Sequence, residues 1–324
     1  MLIWIIDEEW SDYDLEHEIL EKKFSNVEIK RSTYDYNEDL ETFGKYADGV
    51  LAQVYADIPK ETIDKLENCK VIATYGGGYD RIDIDACKDK GIKVTNIQDY
   101  CSEDLADYVM AAMFMVNKNI IGYSNTIRED VDAEKWGAIA VKSLNHRLSR
   151  QKLLIVGFGA IGKVVAKKAK SLGMEILAYD EYEDESTIAN HGARKVSWEE
   201  GFKEADFVSV HLKGVDANAD KIGKNEFELM KETAFIINTA RGKIIVEKDL
   251  VEAVKNRKIA GAILDVIKTE PPKSSADSIL NCEGIFVTPH ISYISVESFK
   301  ALKEYALGNL VSVLNGERPR NLVV

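Results

Sequence analysis

Three glycines, Gly157, Gly159 and Gly162, sit between the apolar run Lys152-Leu-Leu-Ile-Val156 and a helix-forming segment that ends near Gly173. In that order, strand then turn then helix, they can bind a phosphate group without any charged side chain. Gly157 permits the tight turn, Gly159 lets the main chain approach a pyrophosphate, and Gly162 lets the helix pack closely on the strand. The free N–H groups at the helix start, with Ala160 and Ile161 as the expected donors, then face the anion. A glycine-rich turn alone serves many loops. Asp180 sharpens the reading, because it ends the next apolar run at roughly the 20-residue spacing at which a carboxylate accepts hydrogen bonds from a ribose. It can also be a simple helix cap. With the glycines it points to a dinucleotide, and since Asp180 and Glu181 would repel a 2′-phosphate, NAD is expected over NADP.

Three further segments carry side chains that can hold an anion or move a proton: Asn238-Thr-Ala-Arg-Gly242, Asp265-Val-Ile-Lys-Thr-Glu-Pro271 and Thr288-Pro-His-Ile-Ser292. Each follows a candidate strand. In an open parallel sheet the loops after the strand C-termini line the ligand crevice, so Arg241, Glu270 and His290 can converge there. Each also has a plainer reading: a surface arginine before a turn glycine, a solvated loop acid, a satisfied core histidine. Asp265 can be a strand-end cap.

The elements that must position these residues follow one pattern. Short β-branched runs alternate with helix-period segments along almost the whole chain, which predicts parallel sheets with helices on both faces. Candidate strands in the first third are Leu2 to Asp7, Val27 to Arg31, Gly49 to Val54, Val71 to Tyr75 and Lys93 to Ile97. A second series runs Lys152 to Val156, Glu175 to Tyr179, Asp206 to His211, Ala234 to Asn238, Ala260 to Asp265 and Ile285 to Thr288. The fold class expected is therefore α/β, with two doubly wound units. Between them Ser102 to Ile120 reads as a buried helix capped by Ser102, either in the core of one unit or packed between the two. The last segment, Ser295 to Asn315, has apolar residues at helical spacing and can return the chain to the first unit.

Composition bounds the partners. The chain has 324 residues, 45% hydrophobic and 30% charged, as expected of an ordinary globular protein of about two domains. Its net charge of −13 argues against nucleic-acid or anionic-membrane binding, and an anionic substrate needs a locally positive pocket. Cys69, Cys87, Cys101 and Cys282 form no CxxC pair and no zinc spacing with the histidines, so reduced thiols and no metal are expected. The opening run Leu2 to Ile6 meets Asp7, Glu8 and Glu9 at once, unlike a signal peptide, and no stretch approaches about 18 uninterrupted apolar residues. A soluble cytoplasmic protein is the expectation.

Taken together, Gly76-Gly-Gly-Tyr-Asp-Arg-Ile-Asp83, the Gly157 to Gly162 loop with Asp180, Asn238 to Gly242, Asp265 to Pro271 and Thr288 to Ser292 resemble the NAD-dependent D-isomer-specific 2-hydroxyacid dehydrogenase family over nearly the full length. The resemblance implies a Rossmann cofactor domain, residues 100–295, inserted in a flavodoxin-like substrate domain made of residues 1–99 plus 296–324. It implies that Arg241 binds the substrate carboxylate and that His290 is the acid and base. Glu270 would hold the imidazole in one tautomer and favour its protonated form. Leu212, Thr239, Ala240 and Asp265 would join the glycine loop and Asp180 in binding NAD. Main-chain N–H groups at Gly77 and Gly78 would meet the carboxylate, while Tyr55 would close over the substrate or is a surface tyrosine.

Some positions depart from the family pattern. His211-Leu-Lys-Gly214 replaces its proline-containing turn, Arg81 stands where Asn is common, and Asp107 replaces a frequent Glu. Arg81 either adds positive charge near the mouth or is solvated. A homodimer is implied, and the apolar stretch Ala111 to Val116 is compatible with it. The alternative function is an NAD(H)-sensing binding protein, because the C-terminal-binding corepressors share this architecture and the TPHISYIS stretch resembles theirs.

Overall fold

The computed structural model describes residues 1–142 and 144–324, which form two compact units, Met1–Tyr100 with Ser295–Val324, and Cys101–Ile294. The first contains β1 (Leu2–Ile6), α1 (Asp14–Lys23), β2 (Glu28–Ser32), α2 (Asn37–Thr42), β3 (Gly49–Gln53), α3 (Lys60–Lys65), β4 (Val71–Tyr75), α4 (Ile84–Lys90) and β5 (Lys93–Thr95). The second contains α5 (Ser102–Asn117), α6 (Ile120–Asp132), β6 (Lys152–Val156), α7 (Ala160–Ser171), β7 (Glu175–Tyr179), α8 (Glu185–Asn190), β8 (Arg194–Lys195), α9 (Trp198–Glu204), β9 (Phe207–Val210), α10 (Lys224–Leu229), β10 (Phe235–Asn238), α11 (Glu247–Lys255), β11 (Gly261–Leu264) and β12 (Ile285–Val287). The chain then re-enters the first unit as α12 (Val296–Leu314).

Both sheets are parallel throughout. The first has the order β2-β1-β3-β4-β5, the flavodoxin-like arrangement, and the second has β12-β11-β10-β9-β6-β7-β8, the dinucleotide-fold order with one further strand. The two units are thus doubly wound, as the alternation of strand and helix patterns predicts. Register matters most for the second unit. Val156 pairs with Val210, Asn238 with both Val210 and Leu264, and Leu264 with Val287, so five strands end level. The segments starting at Gly157, His211, Thr239, Asp265 and Thr288 therefore all leave one edge of the sheet.

The inner strands of the second sheet are apolar on both faces because helices cover both. Leu154, Val156, Val208 and Ile236 point into one core, while Leu153, Ile155, Phe207 and Ile237 point into another. Helix α5 belongs to the second of these cores, packed on α7 through Ala106, Val109, Met110 and Met113. Its N-cap is Cys101 and not Ser102 as expected, because Leu105 N–H already bonds the Cys101 carbonyl and Ser102 is the first helical residue. Ser295 does cap α12, accepting Ser298 N–H at 3.0 Å, and α12 buries Leu302, Ala306, Leu307 and Leu310 in the first unit. Among the described residues no helix is long and apolar enough to cross a membrane.

Candidate active site

The turn between β6 and α7 has the shape its glycines allow. Gly157 lies at φ +97°, and a Cβ there would stand 2.7 Å from the His211 carbonyl oxygen. A Cβ at Gly162 would overlap the Gly157 carbonyl, whereas one at Gly159 would meet no atom within 4 Å. Space is therefore left open where an approaching pyrophosphate needs it. Lys163 N–H makes the first intrahelical bond, to the Gly159 carbonyl at 3.0 Å, so the N–H groups of Ala160, Ile161 and Gly162 have no partner within the helix. Thr239, 5% exposed, keeps an Oγ1 without a hydrogen-bond partner. An open cradle, free amides and an orphaned hydroxyl at one sheet edge fit a bound dinucleotide.

Asp180 ties this turn to the end of β7. Its carboxylate accepts Phe158 N–H at 2.7 Å, Tyr182 N–H at 2.8 Å and Glu183 N–H at 3.0 Å. Burial works to raise its pKa, but the three main-chain donors outweigh it and hold the carboxyl below its ordinary value. The cap of α8 is Asp184, which accepts Thr187 N–H, so Asp180 is not a helix cap. In the departing turn, His211 receives or gives a hydrogen bond at 2.8 Å between Nε2 and Ser209 Oγ, while Nδ1 has no partner. Burial pushes the His211 imidazole down to about 4.

Arg241, Glu270 and His290 stand on three adjacent loops of the same edge. Asn238 shapes the first loop, its Oδ1 accepting Ala240 N–H and its Nδ2 donating to the Arg241 carbonyl, each at 3.0 Å. A Cβ at Gly242 would overlap the main chain of Ile267 and Lys268, so only glycine lets the loops after β10 and β11 pack this closely. In the loop after β9, a Cβ at Gly214 would lie 2.5 Å from Arg241 Cγ; the arginine stem fills the space where another residue would carry a side chain.

Glu270 bridges two loops. Oε1 accepts Ile267 N–H at 2.8 Å and Oε2 lies 3.0 Å from His290 Nδ1. An ionised carboxylate only accepts, so Nδ1 carries the proton of this bond, and Nε2 lies on the far side of the ring. His290 adopts φ +55°, a left-handed conformation that L residues visit at a cost of roughly 1–3 kcal/mol unless the surroundings enforce it. Asp265, 1% exposed, enforces it. Its carbonyl accepts His290 N–H at 2.9 Å, and its carboxylate accepts Thr288 Oγ1–H at 2.6 Å, Ile291 N–H at 2.9 Å and Ser292 N–H at 2.8 Å. Asp265 is thus the knot of the loop that carries the imidazole. Thr288 is in turn bonded to Tyr108 of α5 at 2.6 Å, a partner 180 residues away that no spacing in the sequence announces.

In the first unit, Gly76 (φ +147°) turns the chain out of β4, its carbonyl accepting Ile97 N–H and Thr74 Oγ1–H at 2.9 Å each. Asn96 Nδ2 holds the Gly77 carbonyl at 2.9 Å. Tyr55 is half-buried, with the Tyr34 ring at 6.3 Å. Arg81 is exposed, its guanidinium 5.8 Å from the Tyr55 ring and Nη1 donating to the Tyr55 carbonyl at 3.3 Å. Arg81 and Tyr55 are therefore in contact through both main chain and ring.

Comparison with known proteins gives four points of reference. Residues 110–292 match the family described as D-isomer specific 2-hydroxyacid dehydrogenase, NAD binding domain. A glyoxylate reductase of Korarchaeum cryptofilum is 33% identical over 279 residues, covering 86% of this chain and 83% of that protein. A hydroxypyruvate reductase of Blautia hydrogenotrophica is 31% identical over 271 residues, 82% of each. Among solved structures, the D-lactate dehydrogenase of Aquifex aeolicus complexed with NAD and lactic acid superimposes with a TM-score of 0.86 at 27% identity over 99% of both chains.

Proposed function

The chain belongs to the D-isomer specific 2-hydroxyacid dehydrogenase family, and within it we propose that this protein reduces small 2-keto acids, His290 serving as acid and base, Glu270 orienting it and Arg241 holding the substrate carboxylate. It is an NAD-dependent oxidoreductase by that membership. The observation that carries the residue assignment is the Glu270–His290 pair at 3.0 Å, with the histidine backbone locked by Asp265. NAD(H), when bound, supplies or accepts the hydride.

The protein's part is proton delivery and orientation. With Nδ1–H directed to Glu270, Nε2 is the atom that gives a proton to the keto oxygen in reduction and takes it back in oxidation. Arg241 offers a planar fork that matches a carboxylate with two parallel bonds, while remaining charged at every physiological pH. Gly157, Gly159, Ala160, Ile161, Gly162, Asp180, Leu212, Thr239, Ala240 and Asp265 are assigned to the dinucleotide. The run Asp180-Glu-Tyr-Glu-Asp-Glu185 places five acids after β7 and supports NADH over NADPH. Gly77, Gly78 and Tyr55 are assigned to the substrate, whose class follows the glyoxylate and hydroxypyruvate named for the relatives.

We also assign a homodimer contact to residues 120–141. Ala112 and Met113 of the stretch singled out above are taken up by the core, whereas Ile120, Val131 and Trp136 are 57%, 53% and 74% exposed. Such a set of apolar side chains needs a cover.

The test is NADH oxidation with glyoxylate, hydroxypyruvate and pyruvate, comparing the wild type with His290→Asn, because Asn accepts the left-handed backbone. The variant is expected to lose roughly 10³-fold in kcat while binding NADH normally, as followed by cofactor fluorescence. Unimpaired turnover by the variant, or lost NADH binding, would remove His290 from the acid–base role.

A further inference from the structure

Tyr108 lies on α5, outside every motif that carries the family resemblance, yet its phenol stands 2.6 Å from Thr288 Oγ1. The direction of that bond follows by elimination. Thr288 has one hydroxyl proton, and the Asp265 carboxylate 2.6 Å away can only accept it. Tyr108 must therefore donate to Thr288. Burial raises the Tyr108 pKa, the Thr288 hydrogen bond offsets part of this, and the Asp265 charge adds a smaller increase, so the phenol keeps its proton. The result is a directed chain from Tyr108 O–H to Thr288 O–H to Asp265 Oδ1, in which each bond polarises the next.

Asp265 is the point where the chain meets the imidazole. The same carboxylate gathers Ile291 N–H and Ser292 N–H, and the Asp265 carbonyl receives His290 N–H. Asp265 N–H also bonds the carbonyl of Asn238, whose side chain holds the Arg241 carbonyl. Both functional loops are thus attached to one aspartate, and Tyr108 braces that aspartate from a helix anchored in the core through Ala106, Val109 and Met110.

We propose that Tyr108 is a positioning residue for the acid–base histidine, acting through Thr288 and Asp265. The proposal rests on the dehydrogenase reading of His290. Its function is to keep the left-handed turn at His290 from relaxing, so that Nε2 stays aimed at the reacting oxygen.

The experiment compares Tyr108→Phe, Thr288→Val, Thr288→Ser and the Tyr108→Phe/Thr288→Val double variant. Tyr108→Phe keeps the ring and loses only the proton donor. Its kcat with the best keto acid is expected to fall about tenfold, which corresponds to about 1.4 kcal/mol. KM for NADH and Tm should hardly move. Thr288→Ser, which retains the hydroxyl, should keep wild-type kcat, and the double variant should be no slower than Thr288→Val, because a relay broken once cannot be broken again.

The second readout is the ¹⁵N spectrum of the histidine rings in the unliganded protein, with the His290 signals identified by their loss in His290→Asn. Tyr108→Phe should shift or broaden those signals. An unchanged His290 spectrum, an unchanged kcat, or losses that multiply in the double variant would overturn the proposal. A wild type that turns over no keto acid would instead count against the dehydrogenase reading, and the spectrum would still decide the role of Tyr108.

Discussion

Each unit holds a pair of a carboxylate and a basic side chain largely shielded from bulk water, and the two are built differently. In the first unit Glu16 and Lys303 lie 3.2 Å apart with side-chain exposures of 0% and 3%. Further groups close around them. Tyr75 O–H donates to Glu16 Oε1 at 2.9 Å, Lys303 Nζ donates to the Asp12 carbonyl at 2.9 Å, and the rings of Trp10, Tyr13 and Phe299 surround the ammonium at 4.7, 5.2 and 5.5 Å. In the second unit His290 and Glu270 are closer, at 3.0 Å, but 15% and 18% exposed, and imidazole Nε2 is not used by the pair. The first pair joins α12 to α1 and is closed on all sides. The second stays partly exposed, on loops at the edge of its sheet. A pair shut off from solvent fixes the fold, and one that solvent can reach is what chemistry requires.

That contrast can be broken from either side. The largest effect is expected from Lys303→Met, which strands a fully buried carboxylate; unfolding by denaturant should show a loss of about 3–5 kcal/mol. The double variant Glu16→Leu/Lys303→Met should recover most of it, and failure to recover would mean that the aromatic cage and not the charge pair holds α12. Glu270→Gln tests the partly exposed pair. Stability should change by less than about 1 kcal/mol, whereas kcat should fall roughly 100-fold as the imidazole loses its orientation, read by stopped-flow NADH oxidation. A comparable loss of Tm would place Glu270 with Glu16 as a structural acid.

The smallest effect concerns a group buried with no ionic partner. His211 titrates at about 4 in the folded chain against an unfolded value of 6.5, so below pH 6.5 the unfolded chain binds a proton that the folded one refuses. Its contribution is fully present above pH 6.5 and is lost as pH falls to about 4. Relative to the wild type, His211→Asn should therefore gain on the order of 2 kcal/mol between pH 7 and pH 4, seen as a flatter Tm profile. Parallel profiles would show that the imidazole is solvated.

The sequence carried the strands well where an apolar run is bounded by glycine or charge. Val71–Tyr75, Lys152–Val156 and Glu175–Tyr179 fall where the pattern places them. It overran the strands ending at Asp7, His211, Asp265 and Thr288 by one residue each, because strand pairing stops before the chain turns out of the sheet. The two-residue edge strand β8, Arg194–Lys195, has no apolar pattern to read, since it is defined by main-chain pairing to β7 alone. In the site, Gly157, Gly159 and Gly162 were legible because their spacing between a strand and a helix is a pattern of its own, whereas the closeness of Gly242 to Ile267 and Lys268 was not. The role of Asp265 as a knot was not: its partners are amides and a hydroxyl, which carry no residue-type signature. The contact of Gly214 with Arg241 was visible only as a departure from a familiar turn. Tyr108 could not be found at all, since a tyrosine on an apolar helix face reads as core.

The first unit is assembled from both ends of the chain, and this sets an order of events during synthesis. Its sheet leaves the ribosome with Met1–Tyr100, but α12, which covers β3, β4 and β5, follows only after Cys101–Ile294 has been made. At about 5–20 residues per second that interval is on the order of 10–40 s. For that time the face later buried by Leu302, Ala306, Leu307 and Leu310 has no lid, and Glu16 waits without Lys303. The nascent N-terminal segment is thus the stretch that a holdase should protect, while the inserted unit can close on itself first.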